Sequence, residues 1–147
     1  MKPGYRIPKG KFPLVDRFVS QDTETNTPIT EMLVNSLFTN MSDSATFAVG
    51  SSSHARGVAW DGGYGIAMVE VSMDNGQIWH RAELGADLGK YSWRQWNYRM
   101  QFDKPGKQIV MARATNRIGA TQTFELIANP AGYHHNVVQR ILIDVVS

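Results

Sequence analysis

Gly57-Val58-Ala59-Trp60-Asp61-Gly62-Gly63-Tyr64-Gly65-Ile66-Ala67-Met68-Val69-Glu70-Val71-Ser72-Met73-Asp74-Asn75-Gly76-Gln77-Ile78-Trp79 reads as two strands and a tight turn, with a glycine-rich loop ahead of them. Ala67, Val69, Val71 and Met73 fall on one side of an extended chain and Glu70 and Ser72 on the other. That two-residue alternation marks a half-buried strand. Asp74-Asn75-Gly76 then reverses the chain, because Asn and Gly accept positive φ at little cost. The partner strand is expected to begin at Gln77 and to carry Trp79. Asp61-Gly62-Gly63-Tyr64-Gly65, next to Trp60, is a loop that approaches something closely.

Segments of the same kind recur on both sides. Strands are expected at Met32–Phe38, Ala45–Gly50, Ala55–Trp60, Ile66–Met73, Gln77–Leu84, Ser92–Phe102, Gln108–Thr115 and Gln139–Val146, separated by turn residues such as Asp103-Lys104-Pro105-Gly106 and Asn116-Arg117-Ile118-Gly119. Short strands at regular intervals, with no 3.6-residue apolar period, predict an all-β fold, an antiparallel β-sandwich of immunoglobulin-like type. Any helix is limited to a turn or two. Arg94, Trp96, Tyr98, Met100 and Phe102 alternate with Trp93, Gln95, Asn97, Arg99 and Gln101, which gives one face that is apolar after its first residue. In the last strand Ile141, Ile143 and Val145 form the core face, while Leu142 and Val146 put apolar surface on the other side. An outward apolar stripe on a sheet makes Leu142 and Val146 the candidates for a subunit interface.

With 147 residues, 42% of them hydrophobic, the chain can bury a sizeable core without staples. Residues 1–31 contain Pro3, Pro8, Pro13 and Pro28 and the polar run Ser20 to Thr27, and read as an extended connector that leans on something else. Residues 32–147 are the sandwich. Lys2, Arg6, Lys9 and Lys11 make the amino terminus locally positive within a net charge of +2. A nucleic-acid arm would carry more charge and interleaved aromatics, so no nucleic-acid partner is expected. No apolar run approaches the roughly 20 residues of a bilayer span, and the first 30 residues lack a signal-peptide core, so no membrane partner is expected and any export signal lies outside this chain.

The search for chemistry is mostly negative. The chain has no cysteine, which excludes disulfides, thiolate metal sites and a cysteine nucleophile. His134 and His135 point to opposite sides of an extended segment, with no carboxylate at a ligand spacing beside them, so no metal site is expected. No Gly-x-Ser-x-Gly elbow and no Gly-x-x-x-x-Gly-Lys loop is present, and no catalytic residue is assigned. Ser72-Met73-Asp74-Asn75-Gly76-Gln77-Ile78-Trp79 matches the Ser-x-Asp-x-Gly-x-x-Trp pattern of an Asp-box hairpin. It occurs once, which argues against a sugar-cleaving propeller built of repeated blades.

Several short motifs in fixed order support a family resemblance. They are Gly4-Tyr5-Arg6-Ile7-Pro8, Pro28 to Met32, Gly57 to Gly63, the Ser72 to Trp79 hairpin, Ser92-Trp93-Arg94-Gln95-Trp96, Met111 to Thr115, and Asn129-Pro130-Ala131-Gly132-Tyr133 with Asn136 and Val138 to Arg140. Together they resemble the carboxy-terminal dimerisation domain of molybdenum-cofactor oxidoreductases of the sulfite oxidase family, over nearly the whole chain. The resemblance implies an immunoglobulin-like sandwich that follows a separate catalytic domain, pairs with its twin in a homodimer and edges the substrate pocket. It also implies molybdopterin on the catalytic domain, sulfite or a related sulfur compound as substrate, cytochrome c as a candidate electron acceptor, and a periplasmic location.

The pattern departs from the family at one place that bears on the site. Animal members have an arginine shortly after the Trp-x-Gly-Gly run that helps hold the anionic substrate; Gly65 stands at the matching position here, preceded by Tyr64. That role does not transfer. Arg56, just before the loop, and Tyr64, within it, are instead the candidates for the edge of the substrate pocket, each able to donate to an oxyanion. The competing reading is a free-standing immunoglobulin-like module that binds a carbohydrate or peptide through Trp60, Tyr64 and Trp93.

Overall fold

Hydrogen bonding sorts the strands of the computed structural model, which describes residues 6–8, 26–126 and 133–147, into two large sheets and a small hairpin. Strands β1 (Arg6–Pro8) and β2 (Asn26–Pro28) pair antiparallel within the span read as a connector. Strands β3 (Asn35–Phe38), β5 (Ser52–Trp60), β9 (Arg94–Gln101) and β8 (Glu83–Leu84) form a four-stranded sheet in that order. The facing sheet has the order β4 (Ala45–Ala48), β11 (Gln139–Val146), β10 (Gly106–Asn116), β6 (Ile66–Ser72) and β7 (His80–Arg81). The described residues contain no helix. The fold is the all-β sandwich that the alternation predicts, with one parallel pair in it: β4 runs alongside β11 from Ala45 opposite Ile143 to Ala48 opposite Val146.

The core lies between the sheets. Val69 and Val71 of β6, Val110, Ala112 and Ala114 of β10, and Ile141, Ile143 and Val145 of β11 face Ala55 and Ala59 of β5 and Trp96 and Met100 of β9. Each buried Val or Ile contributes about 1.5–3 kcal/mol by leaving water. Small residues on β5 make room for large ones on its neighbours. Gly57, between Ala55 and Ala59, pairs with Trp96, whose indole ring lies directly against it. Phe38 meets the same ring edge-on at 5.2 Å, and Phe47 stacks on Phe102 at 4.3 Å.

Three departures from the expected elements have local causes. The run Gln77–Leu84 is not one strand but two short ones in different sheets: β7 pairs with β6 and β8 with β9, and the buried Ala82 between them donates its amide to Val69 O at 2.8 Å. Ala67 is exposed rather than inward, because the register between β10 and β6 shifts at Thr115/Asn116 and Ile66 takes the buried position. Such a bulge inserts one unpaired residue and reverses the alternation beyond it. Met32 to Val34 precede β3 without joining it.

The Asn75-Gly76 turn forms with both residues at positive φ, 58° and 84°. The partner strand starts at His80 rather than Gln77, since Val71 pairs with His80, and Trp79 belongs to the turn. Its indole N–H donates to Gly76 O at 2.9 Å. Asp74 Oδ1 accepts from the Gln77 and Ile78 amides at 3.0 and 2.9 Å and from the Ser72 hydroxyl at 2.6 Å. These donors, the Ile78 amide first and then the Ser72 hydroxyl, hold the Asp74 carboxyl below its ordinary value. A carboxyl depressed on folding stabilises above its unfolded pKa and loses that contribution as the pH falls through the folded one. The protection factor of the Ile78 amide is therefore expected to fall on acidification below about pH 4, and Asp74→Asn to flatten the dependence. Protection that stays constant into strong acid would exclude this role for the carboxylate.

A polar group closes the sandwich where β10 outruns β11. Gln122, 2% exposed, accepts through Oε1 from the Ser36 hydroxyl at 2.6 Å and the Ala114 amide at 2.9 Å. Its Nε2 donates to Asn35 Oδ1 at 2.8 Å. One side chain thus ties β3 of one sheet to β10 of the other.

Candidate functional site

The glycine-rich loop, residues 61–65, sits at the end of the sandwich where residues 29–34 lead into β3, since Asn35 pairs with Trp60. Asp61 builds it. This nearly buried carboxylate accepts from the Gly63 and Gly65 amides through Oδ1 at 3.0 and 3.1 Å, and through Oδ2 from the Tyr64 amide and Asn116 Nδ2, both at 3.2 Å. The backbone donors that could greet an outside anion are already turned inward. Asn116 in turn accepts the Ala120 amide at 2.8 Å, which locks the loop to the turn after β10.

Charged side chains rim this end. Asp87 accepts from Arg117 Nη2 at 2.9 Å, and Arg94 Nη1 lies 3.1 Å from the same oxygen without hydrogen-bond angles, a coulombic contact. The Gly89 amide first, then the two guanidinium groups, hold the Asp87 carboxyl below its ordinary value. The Tyr64 hydroxyl donates to the Glu31 carboxylate at 3.2 Å, and that negative charge pushes the phenol pKa upward. His134 Nε2 donates to Glu31 O at 3.0 Å. Glu31 thereby connects the segment entering the sandwich to both the 61–65 loop and the stretch before β11. The rings of Trp60 and Trp93 lie 6.1 Å apart at the same end.

Arg56 and Tyr64 are not brought together. Arg56 faces outward from the middle of β5, opposite Asn97, four residues and therefore about 13 Å of strand from Trp60. It lines a shallow groove on the four-stranded sheet with His54, Gln95 and Asn97. Nothing in the spacing of the two residues foretold this, because a loop and a strand can follow one another in any direction.

Leu142 and Val146 do share an outward face, 40% and 42% exposed, on the five-stranded sheet. Ile109 of β10 pairs with Leu142 and adds to its apolar surface, while Asp144, opposite Lys107, stands between Leu142 and Val146 on the same face. Farther along β10 the same face is covered by the protein's own side chains. Met111, although outward, is 1% exposed beneath the Asp74 turn. The Arg113 guanidinium lies 4.2 Å over the Trp79 ring and pairs with Glu70 at 2.9 Å, while Phe124 meets Trp79 edge-on at 5.9 Å. Sequence spacing does not show this cover, because it joins Trp79 of the turn to Phe124, 45 positions away in the chain. The residues Asn129 to Gly132 lie outside the described part, as do Gly4 and Tyr5.

Among the described residues no three His, Asp or Glu side chains are grouped to hold a metal ion. The chain has no cysteine to supply a thiolate ligand.

Two face-packed sheets, with Leu142 and Val146 exposed on one outward face and aromatic loops at one end, make the β-sandwich. The chain belongs to the family described as Mo-co oxidoreductase dimerisation domain, which matches residues 26–146. The sulfane dehydrogenase SoxCD from Paracoccus pantotrophus has a similar structure, with a TM-score of 0.62 and 21% identity over 79% of this chain and 33% of that one. At that identity the likeness is one of fold, and the chain spans about a third of that protein's length. A PKD domain of an M14-like peptidase from a Thermoplasmatales archaeon gives a TM-score of 0.49 at 13% identity, covering 80% of this chain and 96% of that one. A CARDB domain from Pyrococcus furiosus gives 0.49 at 15%, covering 78% and 93%. No curated protein matches the sequence.

Proposed function

We propose that the protein is the assembly module of a molybdenum oxidoreductase of the sulfite oxidase type, which oxidises sulfite or a related sulfur compound at a molybdopterin centre on a separate domain. Membership of the dimerisation-domain family and the fold shared with a sulfane dehydrogenase support the reading. In it residues 1–31 connect to the catalytic domain, and residues 32–147 form the pairing module.

The observation that carries it is the apolar surface of Ile109, Leu142 and Val146 on the outward side of β10 and β11, with the Lys107–Asp144 pair between Leu142 and Val146. A two-fold axis through that surface would lay the same residues of two copies against each other, as an isologous interface requires. Truncating a hot-spot residue costs about 2 kcal/mol or more, and two arginines placed in an apolar contact would add uncompensated buried charge. Leu142→Arg with Val146→Arg is therefore expected to weaken self-association by about a hundredfold or more, measured by analytical ultracentrifugation. A wild-type chain that sediments as a monomer at all concentrations, or a variant that dimerises as tightly, would remove the proposal.

Tyr64 edges the substrate pocket in this reading, because its loop lies at the end reached by the connector. Arg56 joins that edge only where the catalytic domain extends over the four-stranded sheet. Arg56→Ala in the whole enzyme is expected to raise the substrate KM with kcat little changed; an unaltered KM would take Arg56 out of the site. By family analogy the enzyme works in the periplasm and passes electrons to a cytochrome c. Failure of the purified enzyme to reduce any cytochrome c present in the same compartment would remove that acceptor.

A further inference from the structure

We infer that Asn75 is a site of spontaneous deamidation, closed in the folded turn by the Ser72 hydroxyl, and that its reaction uncovers Met111. Asn75 is the only asparagine in the chain that is followed by glycine, and it is exposed. Glycine has no side chain to shield its amide nitrogen and has the widest backbone freedom, so an Asn-Gly pair reaches the cyclising geometry more easily than asparagine before a bulkier residue.

The reaction needs only the chain and water. The Gly76 nitrogen gives up its proton and bonds to Asn75 Cγ; the Cγ–Nδ2 bond breaks, and ammonia leaves with that proton. A cyclic imide remains. Water then adds to either imide carbonyl. Cleavage of the bond between nitrogen and the former side-chain carbon leaves aspartate at position 75. Cleavage on the other side leaves isoaspartate, whose main chain runs through the side chain and is one carbon longer.

In the folded turn the nucleophile is held. The Gly76 amide donates to Ser72 Oγ at 2.9 Å, and the Asn75 amide donates to Ile109 O at 3.1 Å. Attack requires the peptide between residues 75 and 76 to turn its face toward Cγ, which breaks the bond to Ser72. Ser72 Oγ is itself fixed, donating to Asp74 Oδ1 at 2.6 Å and accepting the Asp74 amide at 3.3 Å. Alkaline conditions favour loss of the Gly76 proton, and in them the Asp74 carboxyl, held below its ordinary value, stays ionised and keeps Ser72 in place. Deamidation therefore waits for the turn to open.

The turn also covers Met111. This residue is 1% exposed although it faces outward, and its sulfur lies 3.5 Å from the point where a β-carbon on Gly76 would sit. An extra main-chain carbon at position 75 shifts Gly76 relative to Ser72 and Ile109, so the turn no longer seats over the thioether.

Incubation of the 147-residue chain at mildly alkaline pH, sampled over time by peptide mass spectrometry that separates aspartate from isoaspartate at position 75, tests this. The folded chain is expected to react about tenfold or more slowly than the chain in guanidinium chloride, since only an opened turn reacts. Ser72→Ala, which removes the three hydrogen bonds of that hydroxyl, should speed the folded reaction about tenfold. Gln122→Leu weakens the whole sandwich but leaves the turn intact, and should change the rate by less than about twofold. Circular dichroism checks that both variants are folded. Dilute hydrogen peroxide, which passes an oxygen atom to the thioether and leaves as water, should oxidise Met111 in step with the isoaspartate formed. Equal rates in the folded and unfolded chain overturn the inference, as does an unfolded chain that does not react. A folded Ser72→Ala protein as slow as the wild type removes the guard. Acceleration by Gln122→Leu equal to that by Ser72→Ala makes global unfolding the gate instead of the turn. Met111 that stays unreactive in chains carrying isoaspartate refutes the uncovering.

Discussion

Gly57→Ala is expected to destabilise the sandwich strongly. A methyl group on this α-carbon would overlap both the Trp96 indole and the backbone carbonyl of Leu37, each far inside van der Waals contact. Neither can yield cheaply. Trp96 is 2% exposed and wedged by Phe38, and the Leu37 carbonyl belongs to β3, whose residues Leu37 and Phe38 pair with Val58 and Gly57. Overpacking a core with one methylene costs about 1–3 kcal/mol where side chains can shift, and more where backbone must move. The expected loss is about 4 kcal/mol or more, a large part of the 5–15 kcal/mol that stabilises an ordinary domain. Thermal unfolding followed by circular dichroism measures it; a midpoint within about 3 °C of the wild type would show that the sheet accommodates the methyl group. Gly57→Ala paired with a smaller residue at 96 should not rescue it, because the Leu37 carbonyl remains in the way.

The second large effect is expected at Gln122. Gln122→Leu fills similar volume but strands the Ala114 amide in the interior and withdraws an acceptor from Ser36 and a donor from Asn35. Leaving a buried group unsatisfied costs about 1–3 kcal/mol, and the cost recurs at each group that finds no replacement. Ser36 has a partial substitute in Ala112 O at 3.4 Å, so the total is set at about 3 kcal/mol rather than the sum of three full losses. Ser36→Ala, which removes one member and leaves Gln122 its other partners, should cost about 1 kcal/mol. Denaturant unfolding of both variants would check the order, and a Gln122→Leu protein as stable as the wild type would show that water replaces the amide.

Local chemistry made much of the architecture readable in advance. The Asn75-Gly76 turn followed from two residues that tolerate positive φ, and β9 followed from the strict alternation of Trp96, Met100 and Phe102 with polar neighbours. The outward positions of Leu142 and Val146 came from the same periodicity, since Ile141, Ile143 and Val145 could not all be buried otherwise. Arg56 and Tyr64 could be named as donors but not placed, because their separation depends on how a loop leaves a strand.

From its residues alone the chain is bound to short strands, tight turns, an inward apolar set and no thiolate chemistry, because side-chain period, turn propensity and composition act over a few neighbouring positions. The parallel pairing of β4 with β11, the switch of sheets at Ala82, the burial of Gln122 and the gathering of Glu31, Asp61, Tyr64 and Trp93 at one end arise only on folding. Those contacts join residues about thirty to one hundred positions apart, or depend on which sheet edge a strand meets, and such choices are set by packing of the whole core rather than by any local preference.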